Sequence, residues 1–248
     1  MRKITCFKVA FLFLFIFSLL EFPVLAKGQS FPGQQESLNP QMEQEPAKVW
    51  DPLEKSNRKV FKFNDWFYTD IVRPVSRVYL KVPQPVRNAV GNTFDNLEDP
   101  ARFVNFVLQG RPRRAGNEMA RFILNSTVGI GGFFDVAQNA CGIQGNNADF
   151  GQTLGIWGLG PGAYLLIPVL GPSDERDFLG YVADSAMDPL FWVPGPWWVT
   201  APPSALKYVN TASLHIGQYE AMKRASLDPY VAMRNAYMQY RQHLIEKR

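Results

Sequence analysis

The sequence predicts an all-α fold. Apolar residues recur three and four apart along most of the chain, Asp-Pro dipeptides precede several of those stretches, and the two-residue alternation of strands is scarce. The dipeptides stand at Asp51-Pro52, Asp99-Pro100, Asp188-Pro189 and Asp228-Pro229. A carboxylate at a helix start accepts the free N–H groups of the first turn. Proline fits the first helical position because it has no N–H to satisfy.

In chain order, residues 1–26 read as a secretory signal peptide. Arg2, Lys3 and Lys8 precede the apolar core Val9 to Leu20, and Val24-Leu25-Ala26 places small residues before a cleavage point. A retained anchor is the alternative, but such a core is short against the ~20 residues that span a bilayer. Residues 27–48, rich in Gln, Glu, Pro and Ser, read as a disordered polar tether. Residues 49–248 suffice for one helical domain.

The first helix follows Asp51, with Glu54 as capping-box partner, and carries Leu53, Val60, Phe63, Phe67 and Ile71 to a stop near Arg73-Pro74. It is aromatic on more than one side, which suits deep burial or contact with lipid. Val86, Val90, Phe94 and Leu97 form a second stripe. Ala101, Val104 and Leu108, closed by Gly110, form a third after Asp99. A further helix spans about Pro112 to Thr127. Ser173 caps another through about Ala186, Leu206 to Ile216 form a weaker one, and Tyr230, Met233, Tyr237, Tyr240 and Leu244 mark the last.

From Phe150 to Ser173 the chain carries no charge but holds six glycines and three prolines. Interior glycine costs a helix ~1 kcal/mol and proline ~3 kcal/mol, which disfavours one regular helix through the run. As a solvent loop the run would expose a large apolar patch. Two readings remain: a buried core loop, or irregular backbone lining a cavity. The stretch LFWVPGPWWV sets Trp192, Trp197 and Trp198 around Pro-Gly-Pro, a composition suited to an apolar–water interface or to a core. Gly129, Gly131 and Gly132 end a helix and permit a bend; a gating hinge is the further reading.

Several chemistries find no support. Without Arg2, Lys3, Lys8 and Glu21 the chain is nearly neutral, and no basic cluster marks a nucleic-acid footprint. There is no G-x-S-x-G elbow and no phosphate loop. His215 and His243 stand without neighbours at metal spacing, so neither a metal, a cofactor nor catalysis is expected. Cys6 lies in the signal, leaving Cys141 with no disulfide partner.

The stretches DPLEKSNRKVFKFN, VRPVSRVYLKVPQPVRNAVGN, NLEDPARFVNFVLQG, RFILNSTVGIGGFFDVA, DFGQTLGIWGLGPGAYLLIPVLGPSDERD and SLDPYVAMRNAYMQYR, in this order from Asp51 to Arg241, resemble the MlaA/VacJ family of outer-membrane phospholipid-transport proteins. The resemblance implies a helical ring in the inner leaflet of the outer membrane with a central amphipathic channel. Misplaced phospholipids would pass from the outer leaflet to the periplasmic carrier MlaC, and trimeric porins would be partners. The channel would then involve Gly158, Gly160, Tyr164, Leu165, Ile167 and Pro168. Arg176 would sit near the headgroup route or else pair with Asp174 or Asp177. Many family members are lipoproteins, whereas Lys27 follows Ala26 here. The expected localisation is therefore the periplasmic side of the outer membrane, reached through a cleaved signal with no lipobox cysteine. A periplasmic lipid-hydrolysing enzyme and a porin-associated structural protein are the competing readings.

Overall fold

The computed structural model describes residues 49–192 and 194–246, and for residues 197, 198 and 200 the backbone alone. The signal (1–26) and the tether (27–48) lie outside these residues.

Helix α1 (Glu54–Phe67) passes through a π-helical turn (Tyr68–Val72) straight into α2 (Arg73–Tyr79), so Pro74 does not end it. Proline occupies the first turn of the new segment, where its missing N–H costs nothing. Helix α3 (Gln84–Leu108) merges the second and third predicted stripes. Asp99-Pro100 thus lies inside a helix instead of starting one. Asp99 is buried and meets Arg102 at 2.6 Å. Packing on both sides outweighs an interior proline worth ~3 kcal/mol.

Helix α4 (Pro112–Thr127) has the predicted bounds, and α5 (Val136–Cys141) and α6 (Phe150–Ile156) follow. Strands β1 (Tyr164–Ile167) and β2 (Gly171–Asp174) pair antiparallel with Tyr164 opposite Asp174, a hairpin that the near-absence of alternation concealed. Ser173 lies in β2. It is the Asp174 carboxylate that caps α7 (Glu175–Ser185), accepting the Asp177 N–H at 2.7 Å. A 3₁₀ turn (Pro189–Trp192) leads to α8 (Trp197–Leu214), longer than predicted and with Pro202 and Pro203 inside. Helices α9 (Gln218–Ala225) and α10 (Pro229–Glu246) complete the chain.

The four Asp-Pro carboxylates therefore do different work. Asp228 caps α10 through the Tyr230 and Val231 N–H groups, and Asp188 accepts the Leu190 N–H. Asp51 caps nothing. It binds the Tyr230 hydroxyl and, at 3.0 Å, Arg234, tying the start of the domain to α10. Glu54 pairs with Arg58 at 2.8 Å and forms no capping box.

The elements close a circuit. The α1–α2 segment packs on α8, α8 on α3, α3 on α6, α6 on α10, α10 on β2, and β1 back on α1. Among the described residues the burial is inverted. Twelve apolar side chains are buried against twenty-four polar or charged ones, while Val78, Ile130, Trp157, Leu179 and Trp192 are among many large apolar groups left exposed. Monomers in water rarely present so much apolar surface. No helix among the described residues is long and apolar enough to cross a membrane.

Candidate functional site

Two cavities lie inside the circuit. The first, of about 410 Å³, is mainly apolar. Leu97 and Ala101 of α3, Tyr208 and Ala212 of α8, and Met222 of α9 supply much of its wall. From α10 come Met233, Tyr237, Tyr240 and Leu244, three and four residues apart and so on one face. The second, of about 370 Å³, is polar and bordered by Asp95, Arg121, Asp135, Lys207 and Asn210. Arg102, Asn147, Thr211 and His215 belong to both walls, so the two volumes adjoin. Together they are of the size of a ligand site, with an apolar and a polar half.

Buried ion pairs hold the walls. Arg241 bonds Asp149 at 2.6 and 2.8 Å and Asp177 at 2.8 Å, and Tyr237 donates to Asp177 at 2.6 Å. Asp149 also caps α6 through the Gln152 N–H at 2.7 Å. Burial opposes its ionisation, but the Arg241 charge and these hydrogen bonds prevail and hold it down at about 2. Asp184 accepts from the Asn105 amide and the Phe150 N–H, both at 2.8 Å, and has no cation partner among the described residues. Burial and the neighbouring Asp149 charge push its carboxyl up to about 7. Arg102 sits among Asp95, Glu98 and Asp99, and Lys207 reaches Glu98 at 2.5 Å.

None of the residues singled out in the charge-free run borders the large cavity. Gly158 and Gly160 lie in an exposed turn with open space around them. Tyr164 is fully buried between α1 and α10, beside Tyr230 and Tyr237, and its hydroxyl finds no partner. Leu165 is half-buried and Pro168 exposed, while Ile167 borders a minor crevice of about 10 Å³. Arg176 is buried and bonds Asp177 at 2.9 Å and Asp174 at 3.3 Å, the pairing weighed as its alternative. From this run Gln152, Leu170 and Pro172 reach the large cavity.

The hairpin is instead braced from behind. Asn57 of α1 donates to the Tyr164 carbonyl and accepts the Leu166 N–H, both at 3.0 Å. Asn64, two helical turns on, does the same for Ile167 and Val169. Two side-chain amides thus act as the missing neighbour strand and satisfy an edge that would otherwise stay unpaired. The second Asn holds Val169 at φ +67, a conformation that branched side chains resist.

The glycines at 129, 131 and 132 lie between α4 and α5. A side chain at Gly132, φ +89, would strike the Asn96 Cβ at 2.5 Å, so this turn is docked tightly on α3. Trp192 is exposed and donates its indole N–H to the Ala186 carbonyl at 2.8 Å; Trp197 and Trp198 open α8. The lining positions on α8 and α10 could be found from the three-and-four spacing, but nothing local told which face met a cavity.

Residues 49–244 match the family model of the MlaA lipoprotein. The chain is 38% identical over 193 residues to the intermembrane phospholipid transport system lipoprotein MlaA of Shigella flexneri and equally to that of Escherichia coli, covering 76% of each chain. It is 33% identical over 201 residues to the protein of that name from Haemophilus influenzae. It is also similar to a structure solved to explain the maintenance of bacterial outer membrane lipid asymmetry. There the TM-score is 0.70 at 34% identity, over 79% of this chain and 99% of the other. These findings overturn the expected localisation, reached through a cleaved signal with no lipobox cysteine. The relatives are named lipoproteins, a class held to its membrane by acyl chains on a cysteine. With nearly all of the described chain matched by the model, the chain belongs to the MlaA lipoprotein family.

Proposed function

We propose that this protein transports phospholipid between membranes, taking misplaced lipids from the outer leaflet of the outer membrane and passing them to a periplasmic carrier of the MlaC kind, so that lipid asymmetry is kept. The observation that carries this is the inverted burial around two adjoining cavities, one apolar and one polar. An apolar exterior suits a ring seated among acyl chains. An apolar chamber takes fatty tails, and a polar chamber takes a headgroup whose bare charge would be costly in a low dielectric. The relatives are named for intermembrane phospholipid transport, which supports the same reading.

In this scheme the path runs along α3, α8, α9 and α10. The Tyr164–Asp174 hairpin with Leu165, Ile167 and Arg176 stiffens α10 from behind. Trp192, Trp197 and Trp198 mark the lipid–water boundary, and trimeric porins are partners on the outer apolar face. The test is to narrow the apolar cavity with Ala101→Trp and Ala212→Trp, then follow transfer of headgroup-labelled phospholipid between vesicles by the full-length protein. Transfer should fall to background with no fatty acid released in any sample. Undiminished transfer by both folded variants would place the path elsewhere.

A further inference from the structure

The walls of the two cavities carry charge of mostly one sign. Seven carboxylates and four cationic side chains border them, although the whole chain has a formal charge of +4. The four cations are already engaged: Arg241 with Asp149 and Asp177, Arg102 with Asp99 and Glu98, Lys207 with Glu98, and Arg121 with Asp135. An incoming phosphate therefore meets no uncommitted cation there.

Two acceptors are free to take a donor. Asp188 borders the apolar cavity and is only 9% exposed. One of its oxygens accepts the Leu190 N–H at 2.8 Å, and it has no ion-pair partner among the described residues. Asn210 borders the polar cavity, is 1% exposed, and its Oδ1 has no hydrogen-bond partner. Lys207 stands one helical turn before Asn210, and Asp188 lies within the electrostatic reach of Lys207 and Glu98. The two acceptors thus flank one stretch of α8.

Resting on the transport reading above, we propose that the passage selects phospholipids whose headgroup carries a primary amine, with the Asp188 carboxylate and the Asn210 Oδ1 as its acceptors. An ammonium brings three N–H donors and a positive charge. It satisfies a buried oxygen that otherwise has none and offsets the acidic wall. A headgroup with a phosphate and no amine would add a negative charge to that wall. Burial raises the carboxyl pKa of Asp188, and a bound ammonium would act in the opposite sense.

The test uses full-length protein in detergent and three lipids of identical acyl chains: phosphatidylethanolamine, phosphatidylcholine and phosphatidylglycerol. Binding is read by competition against one fluorescent lipid. Phosphatidylethanolamine should bind about ten-fold more tightly than phosphatidylglycerol, the ratio of one charge-assisted hydrogen bond. Phosphatidylcholine, charged but without N–H donors, should fall between them. Asp188→Asn still accepts the Leu190 N–H and should reduce the ratio to near one, while Asp188→Glu should keep it. Asn210→Ala should lower ethanolamine binding and leave choline binding unchanged. Equal binding of all three lipids by the wild type overturns the selectivity and leaves transport standing. An unchanged ratio in Asp188→Asn overturns the assignment of that residue. No lipid binding at all overturns transport and selectivity together. Should Asp188→Asn fail to fold, the wild-type ratio alone still decides.

Discussion

Two segments lie back to back in this molecule and divide the work differently from what their compositions suggest. The charge-free run from Phe150 to Ser173 has the greasier sequence, yet it touches the large cavity mainly at its edges, through Gln152, Leu170 and Pro172. Helix α10 mixes Met, Tyr, Arg and Leu, and it provides a broad side of that cavity. Tyr164, the run's most buried aromatic, packs against Tyr230 and Tyr237 of α10. On the proposed transport reading the wall accommodates both tails and headgroups and cannot be uniformly apolar, because an unpaired charge would be stranded there. Here uniform apolarity belongs to packing, and the amphipathic helix belongs to the cavity wall.

Arg241→Ala strikes this division hardest. It leaves Asp149 without its cation and Asp177 with Arg176 alone, at about 3–5 kcal/mol for a broken buried pair. A large drop in the thermal midpoint in detergent is expected, and a drop comparable to that of an exposed lysine variant would mean the pair does not hold α6, α7 and α10 together. Gly180→Ala comes next. Its Cβ would lie 2.2 Å from the Gly151 nitrogen, so α6 and α7 would have to part. Overpacking of this kind costs about 1–3 kcal/mol, measurable by chemical denaturation; Gly158→Ala, whose Cβ meets open space, tests strain at φ +95 alone.

Asp184 sharpens the comparison through pH. Its folded carboxyl is raised to about 7, whereas in the unfolded chain it titrates at about 3.9. Between those values the unfolded state has lost the proton and the folded state retains it. Stability should therefore fall as pH rises from about 4 to about 7 and level off above. Asp184→Asn should flatten that slope, with Asp188, also raised by burial, accounting for part of the remainder. A slope identical to wild type across this window would exclude Asp184 as its source.

The smallest effect separates two tyrosines. Tyr237→Phe loses the bond to Asp177 at 2.6 Å and should cost about 1–2 kcal/mol. Tyr164→Phe removes a buried hydroxyl that has no partner and should be neutral to about 1 kcal/mol stabilising. If the two variants behave alike in denaturant titrations, hydrogen bonding does not distinguish the face of α10 from the hairpin behind it.

What could be read locally was the helical character and some ends. Helix α4 starts at Pro112 and stops at Thr127 as predicted, because proline and an apolar stripe are short-range signals. The last helix is the same case. Asp99-Pro100 misled because the same dipeptide starts one helix and is absorbed into another, according to what packs around it. Asn57 and Asn64 carried a role visible only once the hairpin was in place beside them. Asp149 and Arg241 are 92 residues apart, and no local pattern relates them.

By itself, then, the sequence determined an α-helical chain and a charge-free run too rich in glycine and proline to form one continuous helix, of which only Phe150–Ile156 is helical. The tertiary structure alone decided which helix faces meet the cavities, which carboxylates keep a cation, and that many polar groups are buried while many large apolar ones stay exposed. Periodicity is a property of a few neighbouring residues. The pairing of buried charges depends on which distant segments the circuit of helices brings within about 4 Å, the reach of an ion pair.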